Sequence, residues 1–123
     1  MSVELQWSVP NTIVLATFEG ATTAGEFRRA MEIFIGYLDA ATHPIAAIID
    51  WRAATATPLL SAILSRALEV ILHRNLGWIV VVGPTPFLMA WINILSRLSP
   101  FLYRTVLTVE EALQFLQETN IGR

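Results

Sequence analysis

Three features of the sequence predict a single α/β domain with a mixed, mostly parallel sheet. Two short runs, IAAIID at residues 45–50 and GWIVVVG at 77–83, are apolar without alternation, as strands buried on both faces are. Segments with apolar residues every three or four positions lie between and after them, the pattern of amphipathic helices. Two Thr-x-x-Glu capping boxes, Thr23 to Glu26 and Thr108 to Glu111, mark helix starts. Strands that alternate with helices need crossover connections, and these set neighbouring strands parallel.

Taken in order, residues 3–8 and 12–19 read as two antiparallel strands turned at Pro10-Asn11. The second, TIVLATFE, is rich in β-branched and aromatic residues, and Gly20 ends it. Thr23 then caps a helix that gathers Phe27, Ala30, Met31, Phe34 and Leu38 on one face. Arg28 and Glu32 make an i,i+4 pair on the other. Pro44 restarts the chain as the strand that stops at Asp50, followed by a short loop. Thr57 caps the next helix with Pro58 at its first position. Its buried face is Leu60, Ile63, Leu64, Ala67, Leu68 and Ile71, and Gly77 closes it. A strand at 78–82 leads through Gly83-Pro84-Thr85-Pro86 into a helix at 87–98 that Pro100 stops. A strand at 103–107 and a helix running from Thr108 through Leu113 and Leu116 complete the order ββαβαβαβα. Residues 1–123 thus form one domain.

Composition excludes several classes. With 54% apolar and 15% charged residues, disorder is excluded, and a net charge of −2 gives little steering of charged partners. All eight basic side chains are arginine, scattered rather than striped, so nucleic-acid binding is not expected. The absence of cysteine removes disulfides, thiolate metal sites and a Cys nucleophile. The opening MSVELQWSVP lacks the basic-then-apolar layout of a signal peptide, and the expected location is the cytoplasm. No charge falls between Arg74 and Arg97, about enough for a bilayer span of ~20 residues. The two prolines and the glycine at its centre would strand backbone carbonyls in lipid, so a strand–turn–helix is expected and no membrane span.

In this arrangement the chain resembles the STAS domain, the fold of bacterial anti-anti-sigma factors, and more closely the divergent SpoIIAA-like proteins. The residues that carry the resemblance are TIVLATFEG before a T-x-x-E-capped helix, IAAIID ending in Asp50, WIVVVG, and the closing TVEEALQFL. The resemblance implies a non-catalytic domain that binds partner proteins, sometimes nucleotides, with some divergent relatives linked to lipid-like ligands. It also implies a switch serine in an Asp-Ser-Ser-Gly type motif after the strand ending here at Asp50. Ala56-Thr57-Pro58-Leu59-Leu60-Ser61 stands there instead, so the fold carries over and the phosphoserine motif does not.

The candidate site residues follow. Asp50, Trp51 and Arg52 end a central strand, where open α/β sheets bind ligands: the two charges can pair and the indole offers a contact surface. Thr55, Thr57 and Ser61 are the hydroxyls of the following segment; phosphate at a helix start would be favoured there, although Thr57 has the simpler role of a cap. GPTP cannot cradle phosphate, because Pro84 and Pro86 have no N–H to offer. His43 and His73 stand apart, Glu69 and His73 suit a surface pair, and neither a metal site nor a nucleophile–base set can be assembled. Ile33, Tyr37, Phe87, Met89 and Ile94 lie at or beyond the edges of helix core stripes, an excess of apolar surface that suits self-association.

The expected function is a non-enzymatic interaction domain without cofactor, acting on a protein partner or on itself as a homodimer. The alternative is a carrier or sensor for a small apolar or lipid-like ligand.

Overall fold

A computed structural model of the protein describes residues 2–119. Strand β1 (Ser2–Val9) turns at Asn11, in the left-handed region at φ 61°, into β2 (Ile13–Ala21). Helix α1 (Ala24–Ala40) leads to β3 (Ile45–Ala56), and a 3-10 turn (Leu60–Ala62) leads to α2 (Leu64–Ile71). Then come β4 (Leu76–Val82), α3 (Pro86–Leu98), β5 (Tyr103–Val106) and α4 (Val109–Glu118).

The five strands lie side by side in chain order, β1-β2-β3-β4-β5. β1 and β2 are antiparallel and every other neighbouring pair is parallel, the mixed sheet that the sequence predicts. Stepping one strand at a time in one direction, right-handed crossovers put α1, α2 and α3 on the same face. Packing follows from this topology. Ala16, Phe18, Trp51, Ile79 and Val81 meet Phe27, Ile63, Ala67, Ile71, Leu88, Trp91, Ile92 and Leu95 on that face. The opposite face sets Ile13, Ala46, Ile48, Val80 and Val82 against Ala112 and Leu116 of α4. IAAIID and WIVVV lack alternation for this reason: successive side chains enter two different cores.

Local signals largely hold. Thr23 Oγ1 accepts from the Glu26 N–H at 3.1 Å while Glu26 Oε1 accepts from the Thr23 N–H at 2.9 Å, the complete capping box. Thr108 Oγ1 likewise accepts from the Glu111 N–H at 3.1 Å. Thr85 caps α3 through the Leu88 N–H at 3.2 Å, with Pro86 at the first helical position, so GPTP is a turn and helix start.

Four sequence expectations are corrected. β2 does not stop at Gly20 but continues to Ala21, and β3 runs through Trp51–Ala56 where a loop was expected; the two extensions pair with each other, Glu19 with Ala53 and Ala21 with Ala56. Thr57 caps no helix. The chain stays extended to Leu59 (φ −66°, ψ 136°), which delivers Ile63 into the core, and α2 starts at Leu64. Gly77 lies inside β4, not at a helix end, and an added Cβ there would come within 3.2 Å of the Ile45 carbonyl oxygen on the neighbouring strand. Arg28 and Glu32 do not pair. Arg28 donates to the Ala62 carbonyl at 2.9 Å, and Glu32 accepts from Arg66 at 3.1 Å, so both are used between elements rather than along α1.

Those contacts belong to a set that fastens α1 to α2 and its following turn. His73 Nε2 meets Asp39 Oδ1 at 2.7 Å, and the Asn75 amide donates to the Leu38 and Ala41 carbonyls at 3.0 Å each. α3 has no such clasp: among the described residues its side-chain hydrogen bonds stay within its own cap and turns. α4 lies close against β3, β4 and β5, whereas the α3 backbone stands further off the sheet. No helix among the described residues is long and apolar enough to cross a membrane.

Candidate functional site: an apolar cavity and an ion pair on the central strand

Asp50 and Arg52 project from β3 onto the α4 side, two residues apart on one face, as strand periodicity requires. Their pairing is bidentate. Arg52 Nε donates to Asp50 Oδ1 and a terminal guanidinium nitrogen to Oδ2, both at 2.9 Å, and the Arg52 backbone N–H adds a bond at 3.2 Å. The Arg52 guanidinium therefore holds the Asp50 carboxyl below the usual carboxylate range, burial opposing this only in part. Gly83 makes room for the arm: it sits at φ 64°, and a Cβ there would lie 2.7 Å from Arg52 Cγ. With both oxygens taken, Asp50 is committed to Arg52, and only the guanidinium keeps an outward edge, its side chain about half exposed.

Trp51 points the other way. It is 1% exposed and packs between Phe18 at 4.9 Å and Phe27 at 6.1 Å, so it is a core residue and not the contact surface expected from its position. The three candidates, which lie within β3 and not at its end, are thus split between two faces of the sheet. Thr55 and Ser61 are exposed and Thr57 is half-buried; among the described residues none of their hydroxyls makes a hydrogen bond, and α2 begins beyond all three. The structure does not place them at a helix N-terminus.

The apolar residues noted in the sequence divide similarly. Ile33, Phe87 and Ile94 are exposed, whereas Met89 packs against the core below α3. Tyr37 lies on Trp7, with ring centroids 4.9 Å apart, in the wall of an open groove of about 410 Å³ at the opposite end of the sheet from Asp50.

The main internal feature lies between the sheet and α1, α2 and α3. A half-open apolar cavity of about 130 Å³ is bounded below by Val14, Ala16, Ala47, Ile49, Ile79 and Val81 and above by side chains of all three helices. No polar atom lines it. Its origin is legible in side-chain size. Ala16 and Ala47 on the strands face Ala30 and Ala67 on the helices, so four methyl groups stand where larger residues would meet. Inward alanines on both layers are the signal that would have located it; the stripe pattern alone marks them only as apolar.

Among the described residues no cluster of three His, Cys, Asp or Glu side chains could hold a metal ion. Among the described residues, Thr22 Oγ1 is buried without a hydrogen-bond partner at the entry to α1.

A five-stranded mixed sheet in chain order, with three crossover helices on one face and a closing helix on the other, is a SpoIIAA-like α/β fold. Solved structures bear this out. An uncharacterised Shewanella loihica protein with a SpoIIAA-like fold superposes with a TM-score of 0.64 at 15% identity, over 94% of this chain and 92% of that one. The anti-sigma factor antagonist SpoIIAA in its unphosphorylated form gives 0.62 at 16% identity, over 94% and 98%. The Bacillus cell fate determinant SpoIIAA in its phosphorylated form gives 0.62 at 18%, over 94% and 99%. By sequence the chain matches no family model and no curated protein. The likeness is one of fold.

Proposed function

We propose that this chain is a non-enzymatic regulatory domain that takes a small apolar molecule into the cavity beneath α1–α3 and acts through contact with a protein partner. The regulatory half of the reading is supported by the fold, which it shares with an anti-sigma factor antagonist. That neighbour has both a phosphorylated and an unphosphorylated form, whereas this chain carries Thr57-Pro58-Leu59-Leu60-Ser61 in an extended segment and 3-10 turn. A different input is therefore proposed.

The observation that carries the ligand half is the cavity. An apolar cavity of about 150 Å³ stays dry and binds benzene, and this one, at about 130 Å³, is of that class. Space for one aromatic ring or a short branched chain, without a polar atom to anchor a headgroup, sets the ligand class. Exchanging Ala16 or Ala67 for Val would close part of it, so the small residues maintain a void that stability alone disfavours.

Native mass spectrometry of the protein isolated from its own cells tests both halves. The expected spectrum contains the chain with a small-molecule adduct and, separately, a complex with a second protein. Protein complexes without any adduct would reduce the reading to an interaction domain, and a bare homogeneous monomer would contradict both halves.

A further inference from the structure

We infer that the outer edge of β1 pairs with the same edge of a second copy of this chain, antiparallel and about a twofold axis at Leu5. β1 and β5 are the two outer strands of the sheet. β5 has four residues, follows Pro100 and carries Arg104, so it is short and charged, as guarded edges are. β1 has eight residues, keeps its register with β2 unbroken from Ser2 to Trp7, and contains no proline and a single charge, Glu4. Among the described residues no strand lies on its outer side. An unguarded edge of this length is a template for another strand.

The backbone directions fix what the edge offers. The Ala46 N–H donates to the Thr12 carbonyl at 3.0 Å, which turns the backbone groups of Val14 and Ala16, in phase with Thr12, toward β3. Leu15 and Thr17 turn theirs the other way, onto Gln6 and Glu4 of β1. The N–H and C=O groups of Val3, Leu5 and Trp7 are therefore the ones that face outward. One register alone brings every one of them opposite a counterpart: Leu5 against the partner's Leu5 and Val3 against the partner's Trp7, with about six hydrogen bonds between the chains. The side chains agree with that register. Val3, Leu5 and Trp7 are half-buried on the α1 side of the sheet, so apolar meets apolar. On the other face the exposed Glu4 falls opposite the partner's Gln6, and no like charges meet. An unrelated strand would find the same backbone groups, but this match of β1 with itself selects a second copy. Main-chain bonds supply the affinity of such strand addition, and the side chains its register. The inference goes beyond the cavity reading and holds whether or not the cavity takes a ligand.

The chain has no cysteine, so introduced thiols report the register directly. Glu4→Cys and Gln6→Cys chains are mixed and oxidised. Directly opposite positions lie within disulfide reach, whereas each introduced thiol and its own copy are diagonal and beyond it. The expected result is a covalent dimer from the mixture and none from either variant alone. Light scattering across a concentration series is expected to show a wild-type dimer. Gln6→Glu, at an exposed position, is expected to weaken it roughly tenfold by setting like charges opposite each other. Adding Glu4→Gln is expected to restore it, with circular dichroism unchanged throughout. The inference is overturned if the wild type stays monomeric across the series or the mixture fails to cross-link. It is equally overturned if a dimer forms that Gln6→Glu leaves intact, or if either cysteine variant cross-links alone, which would assign self-association to another surface or register.

Discussion

Arg52 shows how one side chain organises the end of the sheet. It closes on Asp50 through both guanidinium contacts, crosses Gly83 where no Cβ is tolerated, and faces the acidic first turn of α4, with Glu110 adding to the field it sits in. The pair has a pH signature whose sign follows from the lowered Asp50 carboxyl. A carboxyl depressed in the folded state contributes stability above its ordinary value of about 3.9, and that contribution is lost as pH falls through the folded value. Asp50→Asn is therefore expected to melt below the wild type at pH 7 and to converge with it as pH drops below about 4. Parallel melting curves across that range would show that the ion pair does not couple to folding. Asp50 and Arg52 were legible as a pair because two residues separate same-face positions on a strand. Trp51, between them, belongs to the core by the same alternation, because β3 continues past Asp50.

Among the elements, each strand and helix expected from the sequence is present, because burial period and capping chemistry act locally. The boundaries that failed depend on partners distant in sequence. β3 continues past Asp50 because β2 continues beside it, and no local signal announces that. Thr57-Pro58 has the chemistry of a helix start, yet the chain must first travel far enough to bring Ile63 down on the sheet. The division between clasped and unclasped helices was invisible for a related reason: Arg28 and Glu32 have good partners on their own helix, and only the fold offers Ala62 and Arg66 instead. The size of the gap beneath these helices is testable at Ala67, on α2. Ala67→Leu is expected to raise stability by about 0.5–2 kcal/mol, since the cavity lining regains contacts it lacks. Chemical denaturation measures this, and a loss of 1 kcal/mol or more, of the size expected from overpacking, would mean the space is smaller than the structure shows.

For the molecule as a whole, the fold and the cavity answer different questions. The fold, shared with SpoIIAA at low identity, accounts for the order of elements. The cavity follows from the side chains that line it: inward alanines on two layers, the Phe27 and Trp91 rings beside them, and one helix whose side-chain hydrogen bonds, among the described residues, stay within itself. The most direct test of the central claim is a benzene titration followed by the methyl resonances of Ile71, Val81 and Leu95, which line the cavity. Saturable shifts confined to these and neighbouring cavity methyls, and absent in Ala67→Leu, are the expected result. Methyl resonances that stay fixed, or shifts that move only exposed residues such as Leu59 and Leu107, would contradict it.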